Sequence, residues 1–177
     1  MHIEYVYALP NKNTCDIKPI REFIKREIPK AGLTIDPFAR KQTFCKVTND
    51  LNPEYKTTYN LKSIDFLKTF EDESVDFIIY DPPFTPRQVK ECYDSIGIEC
   101  MQDDTRTTFW SRDKDEIARI IKPGGKVVSL GFNSVGMGKS RGFIKQKILI
   151  VCHGGNHNDT ICTLEIKSHE KQLSLIS

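Results

Sequence analysis

The chain has 177 residues, of which 38% are hydrophobic and 28% charged, and this composition is typical of a folded globular protein. It excludes disordered, collagen-like and low-complexity classes. We expect one domain spanning residues 1–177, large enough to form a core without a metal or disulfide staple. The formal net charge of +2 permits a nucleic-acid partner without arguing for one.

Cellular location is constrained by apolar runs and by cysteine use. The longest apolar runs are far too short to span a bilayer, and the N-terminus lacks a charged head followed by an apolar stretch. The six cysteines form no CxxC pair. We therefore expect a cytoplasmic protein with reduced, structural cysteines and no membrane partner.

The first half of the chain predicts a helix followed by four strands. Apolar residues at helical spacing over 17–28 follow Asp16, a helix-capping residue type, and Pro29 ends the run. Strand-like runs then occupy 33–38, 45–48, 57–61 and 75–80. The last of these is apolar enough to be buried on both faces. A short helix around 66–70 precedes it.

The second half predicts two helices, a strand and a closing hairpin. Residues 86–112 predict a helix followed by a mobile loop. Asp113 is expected to open a further helix, which the turn Pro123-Gly124-Gly125 connects to a strand over 126–132. Two apolar runs joined by a polar segment predict an antiparallel hairpin at a sheet edge, over 143–152 and 160–167.

The alternation of helices and strands favours one α/β sheet with helices on both faces. In such open sheets, ligands bind beyond the carboxyl ends of the strands, near the point where the strand order reverses. Asp36 and Asp81 follow the first and fourth predicted strands. We therefore expect the chemistry to lie at these two residues.

Asp81-Pro82-Pro83-Phe84 directly follows the buried strand. The tetrapeptide resembles the (Asp/Asn/Ser)-Pro-Pro-aromatic motif of S-adenosylmethionine-dependent amino methyltransferases. An amine conjugated to a ring is a poor nucleophile, and hydrogen bonds to Asp81 and the Pro82 carbonyl would favour a tetrahedral nitrogen. Pro82 and Pro83 fix the backbone, and Phe84 would stack on the base. A simple turn at a strand end is the alternative.

Two further segments resemble the elements of this family that hold the methionine part of the cofactor. Asp36-Pro37-Phe38-Ala39 resembles the loop after the first strand, but Arg40-Lys41 stand where the family usually has two glycines. Lys18-Pro19 resembles an N-terminal element that closes over the methionine, and it also fits a proline in a first helical turn.

The resemblance also supplies candidates for the adenosine part. Asp50, followed by Leu51, ends the second predicted strand, where the family places an acidic residue on the ribose hydroxyls. Asp65 and Phe66 resemble an Asp-Phe-Leu element in which the carboxylate accepts from the adenine amine and the apolar side chain packs on the ring. Taken alone, each acidic residue also fits a helix cap or a solvated loop end.

Candidate substrate contacts lie in two polar loops. Lys139 and Arg141 belong to a basic cluster that could hold phosphates, with a solvated loop as the equal alternative. His153, His157 and Asn158 lie between the hairpin strands, where they would overhang the active site. These histidines lack the spacing of a metal site, so we expect no metal.

Together, these segments imply a class I (Rossmann-like) methyltransferase: a doubly wound, seven-stranded, mostly parallel sheet with an antiparallel C-terminal hairpin. The implied reaction transfers a methyl group from S-adenosyl-L-methionine to an exocyclic amine of a nucleic-acid base, with adenine N6 in DNA favoured because the motif begins with Asp. The alternatives are RNA, then a small-molecule or protein amine as acceptor, and a non-catalytic scaffold. The chain leaves little room for target recognition, so a homodimer or a recognition partner is a further expectation.

Overall fold

The computed structural model describes residues 1–100, 108–155 and 157–169, with backbone only for residues 108 and 109. Its strands are β1 (His2–Tyr7), β2 (Thr34–Asp36), β3 (Val47–Thr48), β4 (Val75–Tyr80), β5 (Ile121–Gly131), β6 (Phe143–Cys152) and β7 (Thr160–Lys167). Its α-helices are α1 (Lys18–Glu27), α2 (Ser63–Leu67), α3 (Pro86–Asp94) and α4 (Thr108–Ile120).

The strands form one seven-stranded sheet in the order β1-β6-β7-β5-β4-β2-β3. All neighbouring strands are parallel except at β7, which runs antiparallel to both β5 and β6. The predicted α/β fold, mostly parallel with an antiparallel C-terminal hairpin, is confirmed. β2 and β4 are neighbours whose chain connections run in opposite directions across the sheet, so their carboxyl ends flank a natural ligand crevice.

Three of the strand predictions are corrected. β5 begins at Ile121, so the predicted turn Pro123-Gly124-Gly125 lies within it, where its register with β4 shifts. The expected strand over 57–61 is reduced to a single bridge between Asn49 and Tyr59. Beside it, the backbone amides of Thr48 and Thr58 each donate to the other residue's hydroxyl at 3.2 Å, so side chains replace part of the ladder. The unpredicted strand β1 pairs with β6, so the hairpin does not form the sheet edge.

The start of α1 also differs from the prediction. Asp16 does not cap this helix, which begins at Lys18 without a side-chain cap. Its carboxylate instead accepts hydrogen bonds from the side chains of Asn13 (3.0 Å) and Gln42 (2.8 Å). Asp16 therefore ties the N-terminal segment to the loop after β2.

Asp113 does not open α4, because that helix already begins at Thr108. Asp113 is fully buried in its interior and accepts a hydrogen bond from the Ser63 hydroxyl at 2.8 Å, and its burial raises its pKa to about 7. The helix predicted after Pro86 is present as α3. Part of the loop predicted after it, 101–107, lies outside the described residues.

The core lies on both faces of β4, as its continuous apolar sequence predicts. Phe77 and Ile79 pack on the side of α1, whereas Ile78 and Tyr80 pack on the side of α2 and α4. The strand that leads into Asp81 is therefore held rigidly from two directions. Among the described helices, none combines the length and apolar character needed to cross a membrane.

Candidate functional site

A cleft of about 960 Å³ lies at the carboxyl ends of β2 and β4. Several predicted residues from separate loops meet in its walls: Pro37, Phe38, Asp50, Leu51, Asp81, Pro82, Pro83, Phe84, His153, His157 and Asn158. The remaining predicted residues do not line it: Lys18, Asp36, Ala39, Asp65, Phe66, Lys139 and Arg141. The cleft therefore gathers all four candidate catalytic residues and four of the nine cofactor candidates.

Asp81 is half-buried at the end of β4, and its carboxyl group interacts with the positive charge of Arg40 and the negative charge of Asp36. Burial raises its pKa to about 6, against the positive charge of Arg40 and a hydrogen bond from the Thr14 hydroxyl, which both lower it. At neutral pH the group is mainly ionised. It is thus an acceptor with little competing solvent.

The backbone that follows Asp81 is clamped by three side chains. The indole Nε1 of Trp110 donates to the Pro83 carbonyl at 2.9 Å. Gln88 Oε1 accepts from the amides of Phe84 (2.7 Å) and Thr85 (3.2 Å), and the Thr85 hydroxyl accepts from the Gln88 amide in return. This reciprocal capping box starts α3 directly after the motif, so the turn is pre-organised.

Two aromatic rings lie side by side in the cleft wall. Phe84 contacts Phe132 with ring centroids 4.7 Å apart and planes inclined at 60°. Phe132 follows β5 and is 40% exposed, although it is large and apolar. Phe132 was not among the residues predicted from the sequence. Its position after the strand next to β4 is the feature that could have identified it.

The buried side chain of Asp36 fixes the backbone of the loop after β2. Asp36 is 2% exposed, and its Oδ1 accepts the Phe38 amide at 2.9 Å. Burial raises its pKa to about 8, although the backbone hydrogen bond from Phe38 lowers it. Pro37 and Phe38 reach the cleft, whereas Ala39 is buried. Asp36 therefore holds the loop in shape and does not itself line the cleft.

Asp50 faces the cleft with its carboxylate already fixed. Its two oxygens accept the backbone amides of Asn52 (2.9 Å) and Arg40 (3.0 Å). Burial raises the pKa of Asp50, against these hydrogen bonds, which lower it. Each oxygen keeps a further lone pair, so the carboxylate suits a ligand with neighbouring hydroxyl donors, such as a ribose.

Asp65 and Phe66, the residues predicted for the adenine, do not line the cleft. Asp65 lies exposed in the first turn of α2, and Phe66 is fully buried against Tyr59 and Phe70. Because α2 already begins at Ser63, the residues that face the cleft are 61–63. Lys18, at the exposed start of α1, also lies outside the cleft.

Of the basic cluster Lys139 and Arg141, the arginine forms hydrogen bonds within the protein. Arg141 donates to Asp115 (2.6 Å), to the Ser111 hydroxyl (2.8 Å) and to the Met137 carbonyl (3.2 Å). Lys139 is exposed outside the cleft wall. The arginine therefore joins the loop after β5 to α4.

His153 connects the N-terminal segment to the hairpin, whereas His157 and Asn158 are exposed on the cleft rim. His153 is 4% exposed, and its ring nitrogens lie 2.8 Å from the Ala8 carbonyl and 2.9 Å from the Thr160 hydroxyl. In the described part of the chain, no group of three or more His, Cys, Asp or Glu residues could hold a metal ion.

Replacing His153 by alanine is expected to lower the free energy of unfolding by about 1–3 kcal/mol, because the buried Thr160 hydroxyl and the partly buried Ala8 carbonyl lose their partner. Urea denaturation of the wild type and the variant measures this difference. His157→Ala is the matched control and should stay within about 0.5 kcal/mol, as is usual for an exposed side chain. Equal stability of the two variants would show that His153 has no such linking role.

No family model matches the chain, and no curated protein matches it. Similar solved structures exist, however, and they include methyltransferases. The N-methyltransferase NodS from Bradyrhizobium japonicum WM9 aligns with a TM-score of 0.58 at 10% identity, over 90% of this chain and 99% of that chain.

Two other structures align over 85% of this chain. The 1,6-didemethyltoxoflavin-N1-methyltransferase of Burkholderia thailandensis, crystallised with 1,6-didemethyltoxoflavin and S-adenosylhomocysteine, gives a TM-score of 0.56 at 9% identity over 77% of its length. TrmN from Thermus thermophilus gives 0.52 at 17% identity over 49% of its length. These likenesses and the sheet order show that the chain has the α/β fold of class I methyltransferases.

Proposed function

We propose that the protein transfers a methyl group from S-adenosyl-L-methionine to an exocyclic amine of a nucleic-acid base, with adenine N6 in DNA as the acceptor. The observation that carries this proposal is the rigid Asp81–Phe84 turn in the wall of the cleft. It combines an ionised acceptor, a fixed backbone and an aromatic face. These are the groups that an amine attached to an aromatic ring requires.

The carboxylates of the cleft suit the charges and hydroxyl groups of this cofactor. Burial raises the pKa of Asp81, which lines the cleft, so a ligand with positive charge would stabilise its ionised form. The sulfonium and ammonium groups of the cofactor carry such charge. Asp50 would accept hydrogen bonds from the ribose hydroxyls, and Pro37 with Phe38 would flank the methionine part.

The chain's own groups would orient and activate the amine. The Asp81 carboxylate and the Pro82 carbonyl would accept its N–H bonds, which draws the nitrogen lone pair out of conjugation. Phe84 would stack on the extruded base, which is worth about 1–3 kcal/mol for each base, and Phe132 would support the Phe84 ring through their edge contact. The bound cofactor supplies the electrophilic methyl group.

The rate of methyl transfer is expected to fall as the pH drops through about 6. At a pH below the pKa of Asp81, the protonated carboxyl group has one acceptor oxygen fewer. At a pH above this pKa, the ionised group accepts a hydrogen bond from the amine. The measurement is kcat/KM between pH 5 and pH 8 in one buffer system of constant ionic strength. The residual activity of Asp81→Asn should lack this acid limb. A wild-type rate that stays flat down to pH 5 would contradict the assignment.

The acceptor base is tested with oligonucleotides of restricted composition. Labelled methyl transfer is compared between a cytosine-free DNA that contains adenine and an adenine-free DNA that contains cytosine, with RNA versions of both. Label confined to the adenine-containing DNA is the expected result. Transfer to RNA alone would replace DNA with RNA as acceptor, and transfer to neither polymer would overturn the nucleic-acid proposal. A homodimer or a separate recognition subunit is a further proposal. The molar mass of the protein in solution tests the homodimer, and a rise in methyl transfer when a candidate subunit is added tests the recognition subunit.

A further inference from the structure

Arg40 is the residue at which the loop after β2 departs from the glycines of the resembled family. Its backbone adopts a φ of 50°, in the left-handed region that glycine favours. A side chain in this region costs about 1–2 kcal/mol. Such a strained conformation persists only where contacts of the side chain or of the backbone stabilise it.

The backbone amide of Arg40 explains only part of this conformation. It donates to Asp50 Oδ2 at 3.0 Å, a contact that glycine could make equally well. The side chain extends farther: Nη1 donates to the Lys12 carbonyl at 3.1 Å and to Asn13 Oδ1 at 3.3 Å. The guanidinium group thereby bridges the loop after β2 and the N-terminal segment, both of which line the cleft.

The partners of this guanidinium group are weak ones for an arginine. Its two oxygen acceptors are neutral and lie at 3.1 Å or more, and its further hydrogen-bond partner is the Cys92 thiol. Asp50 attracts it by charge, and a carboxylate that reached it could take two parallel N–H bonds from the planar group. Arg40 also lies close enough to Asp81 to act on its charge. The Arg40 guanidinium group therefore lies near both the Asp81–Phe84 turn and the N-terminal segment, and a ligand could replace its hydrogen-bond acceptors.

We propose that the Arg40 guanidinium group binds the α-carboxylate of the methionine part of the cofactor. This inference rests on the proposed function, because it requires an S-adenosylmethionine-like ligand in the cleft. The carboxylate would replace the Lys12 and Asn13 oxygens as the main acceptor of Nη1. Arg40 thus becomes a specificity-determining residue that distinguishes ligands with a carboxylate from ligands without one.

The test compares two ligands in calorimetric titrations: S-adenosylhomocysteine and its decarboxylated analogue, which lacks only the carboxylate. The wild type should prefer S-adenosylhomocysteine by about 10- to 100-fold, as expected for a charge-assisted hydrogen-bonded pair. Arg40→Gln should lose this preference by binding S-adenosylhomocysteine more weakly while keeping its affinity for the analogue. Arg40→Lys should retain part of the preference, because it keeps the charge but lacks the planar fork.

Two features keep this comparison interpretable. Gln must adopt the same left-handed backbone as Arg, so the strain stays matched between the two proteins. Arg87→Gln is the control, because Arg87 lies on α3 at 2.8 Å from Glu91 and its side chain is 88% exposed outside the cleft wall. This control should keep the full preference for S-adenosylhomocysteine.

Three outcomes would overturn the inference. Equal losses for both ligands in Arg40→Gln would mean that Arg40 only shapes the loop. Unchanged binding of both ligands would mean that it contacts neither. A folded wild type that binds neither ligand would refute the proposed function itself, which distinguishes that failure from an error about Arg40 alone.

Discussion

Replacing Asp81 by alanine is expected to lower kcat for methyl transfer by about 10²- to 10³-fold, the range found when one pre-organised polar group is removed from an active site. The affinity for S-adenosylhomocysteine should change far less, because Asp81 acts on the amine. Steady-state kinetics and calorimetry separate the two effects. Asp81→Asn, which keeps one acceptor oxygen, should lose less activity than the alanine variant.

The folded state of the Asp81→Ala variant should survive. Burial raises the pKa of Asp81 to about 6, so its ionised form reduces stability at pH 7. The alanine variant loses this cost together with the attraction to Arg40 and the hydrogen bond from the Thr14 hydroxyl. Asp94→Ala, at the exposed end of α3 and outside the cleft wall, is the matched control. Full activity in Asp81→Ala would refute the catalytic role.

Replacing Asp50 by alanine is expected to weaken S-adenosylhomocysteine binding by about 100-fold. The ligand would lose hydrogen bonds to a charged acceptor, and the amides of Asn52 and Arg40 would lose the carboxylate that orients them. Calorimetric titration measures this change directly.

Asp65→Ala provides the matched control for the Asp50 experiment. Asp65 resembles a cofactor-binding residue in sequence, but it lies exposed on α2 outside the cleft wall. Its variant should bind S-adenosylhomocysteine as tightly as the wild type does. A larger loss in Asp65→Ala than in Asp50→Ala would reverse the assignment of the cofactor end of the cleft.

Strong periodicity made part of the fold predictable. The hairpin strands β6 and β7 have the predicted bounds, because their apolar runs end at clear polar boundaries. β4 was predictable because a strand buried on both faces has an unbroken apolar sequence. Its end at Tyr80 then placed Asp81 at the crevice, and Asp50 followed from the end of the second strand.

Elements without a core face were not predictable. Five of the six residues of β1 are exposed, so its alternation carries no burial signal, and it forms only because β6 offers an unpaired edge. The 57–61 segment has β-branched and aromatic residues, but Thr58 uses its hydroxyl where a strand would use its backbone. Local propensity does not determine either outcome.

Single acidic residues were ambiguous for a related reason. Asp16, Asp65 and Asp113 all stand where an aspartate could cap a helix or meet a ligand. The contacts that decide between these roles come from residues distant in sequence: Gln42 for Asp16, and Ser63 for Asp113. The same holds for Arg40, whose partners Lys12 and Asn13 precede it by more than 25 residues.

The most direct test is to identify the nucleoside that receives the methyl group. Unmethylated DNA is incubated with the wild type or Asp81→Ala and S-adenosylmethionine labelled on the methyl carbon, then digested to nucleosides and analysed by mass spectrometry. Labelled N6-methyldeoxyadenosine from the wild type, reduced by about 10²- to 10³-fold with the variant, is the expected result. Label in another nucleoside, or equal label with both proteins, would contradict the assignment of Asp81 to an adenine amine.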